Sequence, residues 1–98
     1  MKDKDIKKYI GARLKELREN AGLKQEDVAG VLKLSRVSIL NMESGRHCAN
    51  YFNLYKLSCL FNCSLNEIFP PINATRFVIE TKTVNVKRQV KRIKILKA

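Results

Sequence analysis

Between Ser35 and Arg46 the chain reads SRVSILNMESGR, and the side chains gathered there suit hydrogen-bonded recognition. Arg36 is a planar five-donor fork, Asn41 carries donors and an acceptor on one amide, and Ser35, Ser38 and Ser44 add hydroxyls. On a helix at about 100° per residue, Arg36, Val37, Leu40, Asn41 and Ser44 fall within an arc of roughly 140°. Ile39 and Met42 fall on the opposite side, where a core wants them. One face therefore mixes an arginine, an amide, a hydroxyl and two aliphatics. A DNA major groove offers matching partners: Arg forks onto guanine, Asn onto adenine, and an aliphatic packs on a thymine methyl. The same periodicity also fits a helix with two inconsequential exposed aliphatics, or one packed on both sides.

Other chemistry-bearing residues are sparse. Cys59 and Cys63 stand four apart, and His47–Cys48 lies upstream. That spacing is not a familiar zinc pattern, and cysteine is a common small buried residue, so no metal and no cofactor are expected. His47 and Cys48 are adjacent in a loop with no carboxylate nearby, whereas a Cys–His nucleophile needs the two to converge with an orienting partner. With no glycine-rich phosphate loop either, an enzyme is not expected. Three cysteines are an odd count, which disfavours a disulfide framework.

The charge points the same way as the mixed face. Twenty Lys and Arg against nine Asp and Glu give +11. Residues 1–71 hold twelve basic and eight acidic side chains, net +4, while residues 72–98 hold eight basic and one acidic, net +7. Such a balance suits a polyanion, and nucleic acid is commoner than an anionic membrane. A merely solubilising tail is the bland alternative. No apolar run approaches the roughly 18 residues of a membrane span. The charged start, MKDKDIKKYIGARL, lacks a signal core, so a cytoplasmic protein is expected.

The elements that must position the quoted stretch can be laid out from caps and periodicity. Ile6, Ile10, Leu14 and Leu17 form one stripe of a first helix, which Gly22 closes. A second helix begins near Gln25, with Glu26 and Asp27 at its positive end and Val28, Ala29 and Leu32 on its buried face. Ser35 caps the third helix, residues 35–44, and Gly45 ends it. Asn50 caps a fourth, with Phe52, Leu54, Tyr55, Leu57, Leu60 and Phe61 available for burial. In CSLNEIFPP, Ser64 caps, Glu67 completes a capping box and the prolines terminate. Five helices within residues 6–69 predict a compact all-α bundle. From Ile72 the chain turns β-branched and basic. TRFVIETKTVNV reads as strand or as disordered extension, and VKRQVKRIKILKA fits a strand or an amphipathic helix. A lone strand has no partner in an all-α domain, so pairing of residues 76–87 with a second copy is the expectation if they are ordered.

Two short helices joined by a tight turn outline a helix-turn-helix. The sequence IGARLKELRENAGLKQEDVAGVLKLSRVSILNMESGR followed by LYKLSCLFNCSLNEIF resembles the Cro/repressor-type (XRE-type) helix-turn-helix family over residues 6–69. The resemblance rests on the LR…AGLKQEDVA opening, the LSRVSI turn, the E-S-G-R end and the SLNEIF close, in order and at family spacing. It implies a lambda-repressor-like domain over 1–71, a homodimer, and a palindromic double-stranded operator. Ser35, Arg36, Val37, Leu40 and Asn41 fall at base-reading positions; Lys24, Gln25, Ser38 and Arg46 fall where the backbone phosphates lie. Arg18 and Glu43 match an internal ion pair. A repressor or autoregulator is implied, in a phage switch, a restriction–modification controller or an antitoxin.

The chain departs from that pattern at three places. Lys24 stands where Ser or Thr would cap, a loss of about 1 kcal/mol. Lys33 replaces the turn glycine, at a strain cost if φ is positive there. Asn62 stands at another such position, which asparagine tolerates. Residues 72–98 have no counterpart in the minimal domain: they are a dimerisation arm or a nucleic-acid-binding tail. A protein-interaction module, or an antitoxin whose tail binds a protein partner, is the competing function class. Binding of the tail to anionic lipid would not explain the Arg36–Asn41 face, and no membrane role is expected.

Overall fold

The computed structural model describes residues 2–71, 78–86 and 89–97. Five helices come first: α1 (Asp3–Asn20), α2 (Gln25–Leu32), α3 (Arg36–Glu43), α4 (Tyr51–Leu60) and α5 (Leu65–Ile68). Two strands follow, β1 (Val78–Val86) and β2 (Gln89–Lys97).

Each helix boundary has a local cause. α1 closes where Gly22 takes φ +72° and Leu23 N–H donates to the Arg18 carbonyl at 3.1 Å, a left-handed stop that glycine makes cheap. α2 lacks an accepting side chain at Lys24. Asp27 compensates by taking the Lys24 backbone N–H at 2.8 Å, the reciprocal half of a capping box. Ser35 accepts from Ser38 N–H at 3.1 Å, and Asn50 from Asn53 N–H at 2.8 Å. At α5, Glu67 accepts the Ser64 N–H at 2.7 Å.

Each helix contributes one to three side chains to the core. Leu14, Val28, Ala29, Leu32, Ile39, Met42, Leu57 and Ile68 are buried, with Ile10, Leu17, Leu54, Leu60 and Phe61 packed on their margin. Phe52 and Tyr55, counted from the sequence as available for burial, are instead exposed. Leu54 and Leu57 already turn α4 toward the core, so the aromatics lie on its far side.

Two glycines let elements approach closely. A Cβ on Gly11 would collide with the Met42 carbonyl oxygen and lie 2.6 Å from that of Glu43, so α1 and α3 cross in direct backbone contact. A Cβ on Gly45, at φ +80°, would lie 2.7 Å from Lys8 Cα. Arg13 ties α1 to α5 by donating from Nε to the Glu67 carbonyl at 2.6 Å.

The C-terminal strands correct the premise that a strand here lacks a partner in its own chain. β1 pairs with β2, antiparallel, in a register running from Val78 opposite Lys97 to Val86 opposite Gln89. Residues 89–97, for which an amphipathic helix was an alternative, are the second strand. Their Val and Ile side chains have the β-branched preference for extended backbone. Expectations for residues 72–77, 87 and 88 fall outside the described residues.

Candidate nucleic-acid interface

α2 and α3 are joined through Lys33, Leu34 and Ser35. Lys33 sits at φ 56°, ψ 44°, the left-handed region in which a non-glycine residue carries a small penalty. Its N–H reaches the Gly30 carbonyl at 3.3 Å, and Leu34 N–H the Ala29 carbonyl at 2.9 Å. That closed turn swings the chain around so that α3 starts at once from the Ser35 cap. Ser35 Oγ also lies 3.0 Å from Ser38 Oγ, which locks the first turn of α3 to its own cap.

α3 then divides into two faces. Ile39 and Met42 are 2% and 8% exposed and anchor it against α1 and α2. On the opposite side Val37 is 60% and Leu40 46% exposed. Ser35 and Arg36 are exposed with them, while Ser38 and Asn41 are half-buried. The structure therefore brings Ser35, Arg36, Val37, Leu40 and Asn41 to one rim of one helix. Lys24 and Arg46 are exposed as well, and Gln25 is half-buried. Arg46 follows directly on the end of α3, held by its N–H donating to the Asn41 carbonyl at 3.0 Å.

The orientation of α3 is fixed at its C-terminal end by a single carboxylate. Glu43 accepts from Arg18 Nε at 2.7 Å and Arg18 Nη2 at 3.1 Å. It also accepts from Gln25 Nε2 at 3.1 Å. Arg18 uses its remaining Nη1 on the Leu23 carbonyl at 2.8 Å. The two side chains are 11% and 6% exposed. The hydrogen bond to Glu43 raises the Arg18 pKa above its ordinary value, while desolvation by burial pulls the other way. Gln25, placed by the family resemblance at a phosphate position, thus gives one of its two amide N–H donors to this internal junction.

At the N-terminal end of α3 a second ion pair has the opposite character. Arg36 Nε lies 3.0 Å from Glu26 Oε1, with side chains 59% and 61% exposed. Sequence reasoning assigned Glu26 only to the helix dipole. No pattern would have shown the pair, because the two residues lie on different helices either side of the turn. Gly11 was equally silent, since a glycine within a helical repeat reads only as a weak helix former.

The cysteines do not converge on a second site. Cys59 and Cys63 border a shallow depression with Ser58, Asn62, Ser64 and Glu67. Desolvation, reinforced by Glu67, pushes the Cys63 thiol up and keeps it protonated. Among the described residues no three His, Cys, Asp or Glu side chains gather as metal ligands. His47 and Cys48 border a small apolar cleft with Lys7, Ile10 and Leu54.

A buried helix pair presenting a polar-aliphatic rim, braced by an Arg–Glu junction, defines a helix-turn-helix domain, and a helix-turn-helix family model matches residues 14–68. The chain belongs to this family, the XRE-type helix-turn-helix DNA-binding transcription regulators. It is 34% identical over 61 residues to the ImmF control region 10 kDa protein of Bacillus phage phi105, covering 62% of this chain and 68% of that protein. It is 30% identical over 73 residues to the HTH-type transcriptional regulator y4dJ of Sinorhizobium fredii, covering 74% and 95%. Among solved structures, the restriction-modification controller protein C.AhdI from Aeromonas hydrophila superposes with TM-score 0.59 at 34% identity, over 66% of this chain and 97% of that one. The DNA-binding domain of BldD shares the fold, with TM-score 0.61 and 22% identity, over 71% of this chain and all of that one.

Proposed function

We propose that the protein is a sequence-specific regulator, a repressor or autoregulator, that binds a palindromic operator as a homodimer in the cytoplasm. Each subunit lays α3 in one major groove, with half-sites about 34 Å apart along the duplex. The carrying observation is the rim of α3, where the exposed aliphatics Val37 and Leu40 stand between Arg36 and Asn41. Arg36 and Asn41 read base edges, Val37 and Leu40 meet thymine methyls, and Ser35 supplies a hydroxyl. Lys24, Gln25, Ser38 and Arg46 set the register on phosphates. The basic residues of 72–98 add sequence-independent attraction. Autoregulation draws support from the control-region and controller-protein names borne by two relatives at 34% identity.

The test is fluorescence anisotropy on duplex flanking the protein's own gene, with scrambled duplex alongside and salt varied. A specific regulator binds the native duplex roughly a thousandfold tighter at physiological salt. Equal binding that collapses with salt would leave only tail electrostatics, and the competing reading of a protein partner would replace this one.

A further inference from the structure

We infer that Glu26 is a positioning residue for sequence discrimination, acting through Arg36; the inference rests on the reading of Arg36 as a groove residue. The three polar residues that open α2 divide their work. Gln25 reaches Glu43, Asp27 caps the Lys24 N–H, and Glu26 reaches across the turn to Arg36. Among the described residues Glu26 pairs with Arg36 alone. A carboxylate at the edge of a surface that meets a polyanion repels phosphate, and an exposed ion pair adds little to stability. Its place beside Arg36 therefore calls for a role in binding.

The geometry supplies one. Glu26 Oε1 lies 3.0 Å from Nε, beside one edge of the Arg36 guanidinium, as a charge contact. The two terminal nitrogens remain available to fork onto guanine O6 and N7, the end-on mode that carries arginine's base discrimination. The contact biases a side chain otherwise free to search many rotamers toward presenting that end, which reduces the ordering cost on binding. Glu26 also offsets the Arg36 charge toward phosphate, so the arginine contributes less to indiscriminate binding than a free one would. Both effects widen the gap between operator and random DNA, one from each side.

The measurement uses the full chain, a duplex recovered by the wild-type protein from a randomised library, and its scrambled counterpart. Glu26→Gln should bind the scrambled duplex tighter and the selected duplex weaker, so that the specificity ratio falls about tenfold. Its melting temperature should stay within a few degrees of the wild type, the small loss being that of a charge at the start of α2. In an Arg36→Ala background the same Glu26→Gln change should leave the ratio where Arg36→Ala put it. A ratio unchanged by Glu26→Gln while Arg36→Ala lowers it overturns the role of Glu26 and leaves the groove assignment standing. An equal fall with and without Arg36 also overturns it, since Glu26 would then act on DNA directly, for example by accepting from cytosine N4. If Arg36→Ala itself leaves operator preference intact, the groove assignment fails and this inference falls with it.

Discussion

The two ends of α3 each carry an arginine–glutamate pair, and the pairs have opposite physical standing. At the C-terminal end, Arg18 and Glu43 are 11% and 6% exposed, with three donors on one carboxylate. At the N-terminal end, Arg36 and Glu26 meet through one contact, with more than half of each side chain in solvent. The first pair cannot be opened without stranding a charge in low dielectric. The second can be rearranged at almost no cost to the fold. The helix is thus held firmly where it joins the body and left adjustable at the end that the proposed function turns toward DNA.

Breaking the buried end should give the largest effect. Glu43→Ala strands Arg18 and should destabilise the domain by about 3–5 kcal/mol in chemical denaturation. Replacing both partners with apolar residues, Arg18→Met with Glu43→Leu, should cost less than that single change. Raising pH should not reproduce the loss through Arg18. Its pKa lies above the ordinary arginine value, so on the alkaline side its contribution stays complete up to that ordinary value and is lost only as pH climbs from there through the raised one.

Next in size is Gly11→Ala, which forces α1 off the Met42 and Glu43 carbonyls. It should cost about 1–3 kcal/mol, read as a lowered denaturation midpoint with an unchanged m-value. At the exposed end the expectation reverses. Arg36→Ala should shift stability by less than about 0.5 kcal/mol. The same change should weaken operator binding by roughly 1–3 kcal/mol and relax one base pair of the preference. Comparable losses in stability at both ends would erase the contrast. The smallest effect is expected away from α3: Lys94→Ala should weaken all DNA alike and flatten the salt dependence by about one unit.

How far the sequence revealed this arrangement depended on whether the governing interaction was local. Ser35, Asn50 and Gly22 act within a few residues of themselves, so α2 runs from Gln25 to Leu32 as the neighbouring caps imply. Lys33 was legible as a candidate for strain through the family resemblance, because it stands where the turn glycine is usual, and its φ is indeed positive. The exposure of Phe52 and Tyr55 was not legible, since α4 is apolar on both sides and only its packing partners decide which side is buried. The β1–β2 hairpin was missed for a related reason. Lys87–Arg88 gives none of the Asn-Gly or Asp-Gly signals that mark a two-residue connection. Glu26 with Arg36, and Gly11 against α3, are encounters between separate elements. The rim of Arg36, Val37, Leu40 and Asn41 could be drawn beforehand because one helix holds all of it.

The Glu43 junction bears on who yields when protein meets duplex. One carboxylate joins α1, α2 and α3, so tilting α3 alone would break all of its bonds together. In the proposed groove-bound mode the backbone of α3 therefore arrives as a rigid body, with only exposed side chains such as Arg36 free to adjust, and a mismatch in groove width falls on the DNA. Sequences between the contacted base pairs are then ranked by how cheaply they bend and twist, a form of selection exerted on bases that no side chain touches.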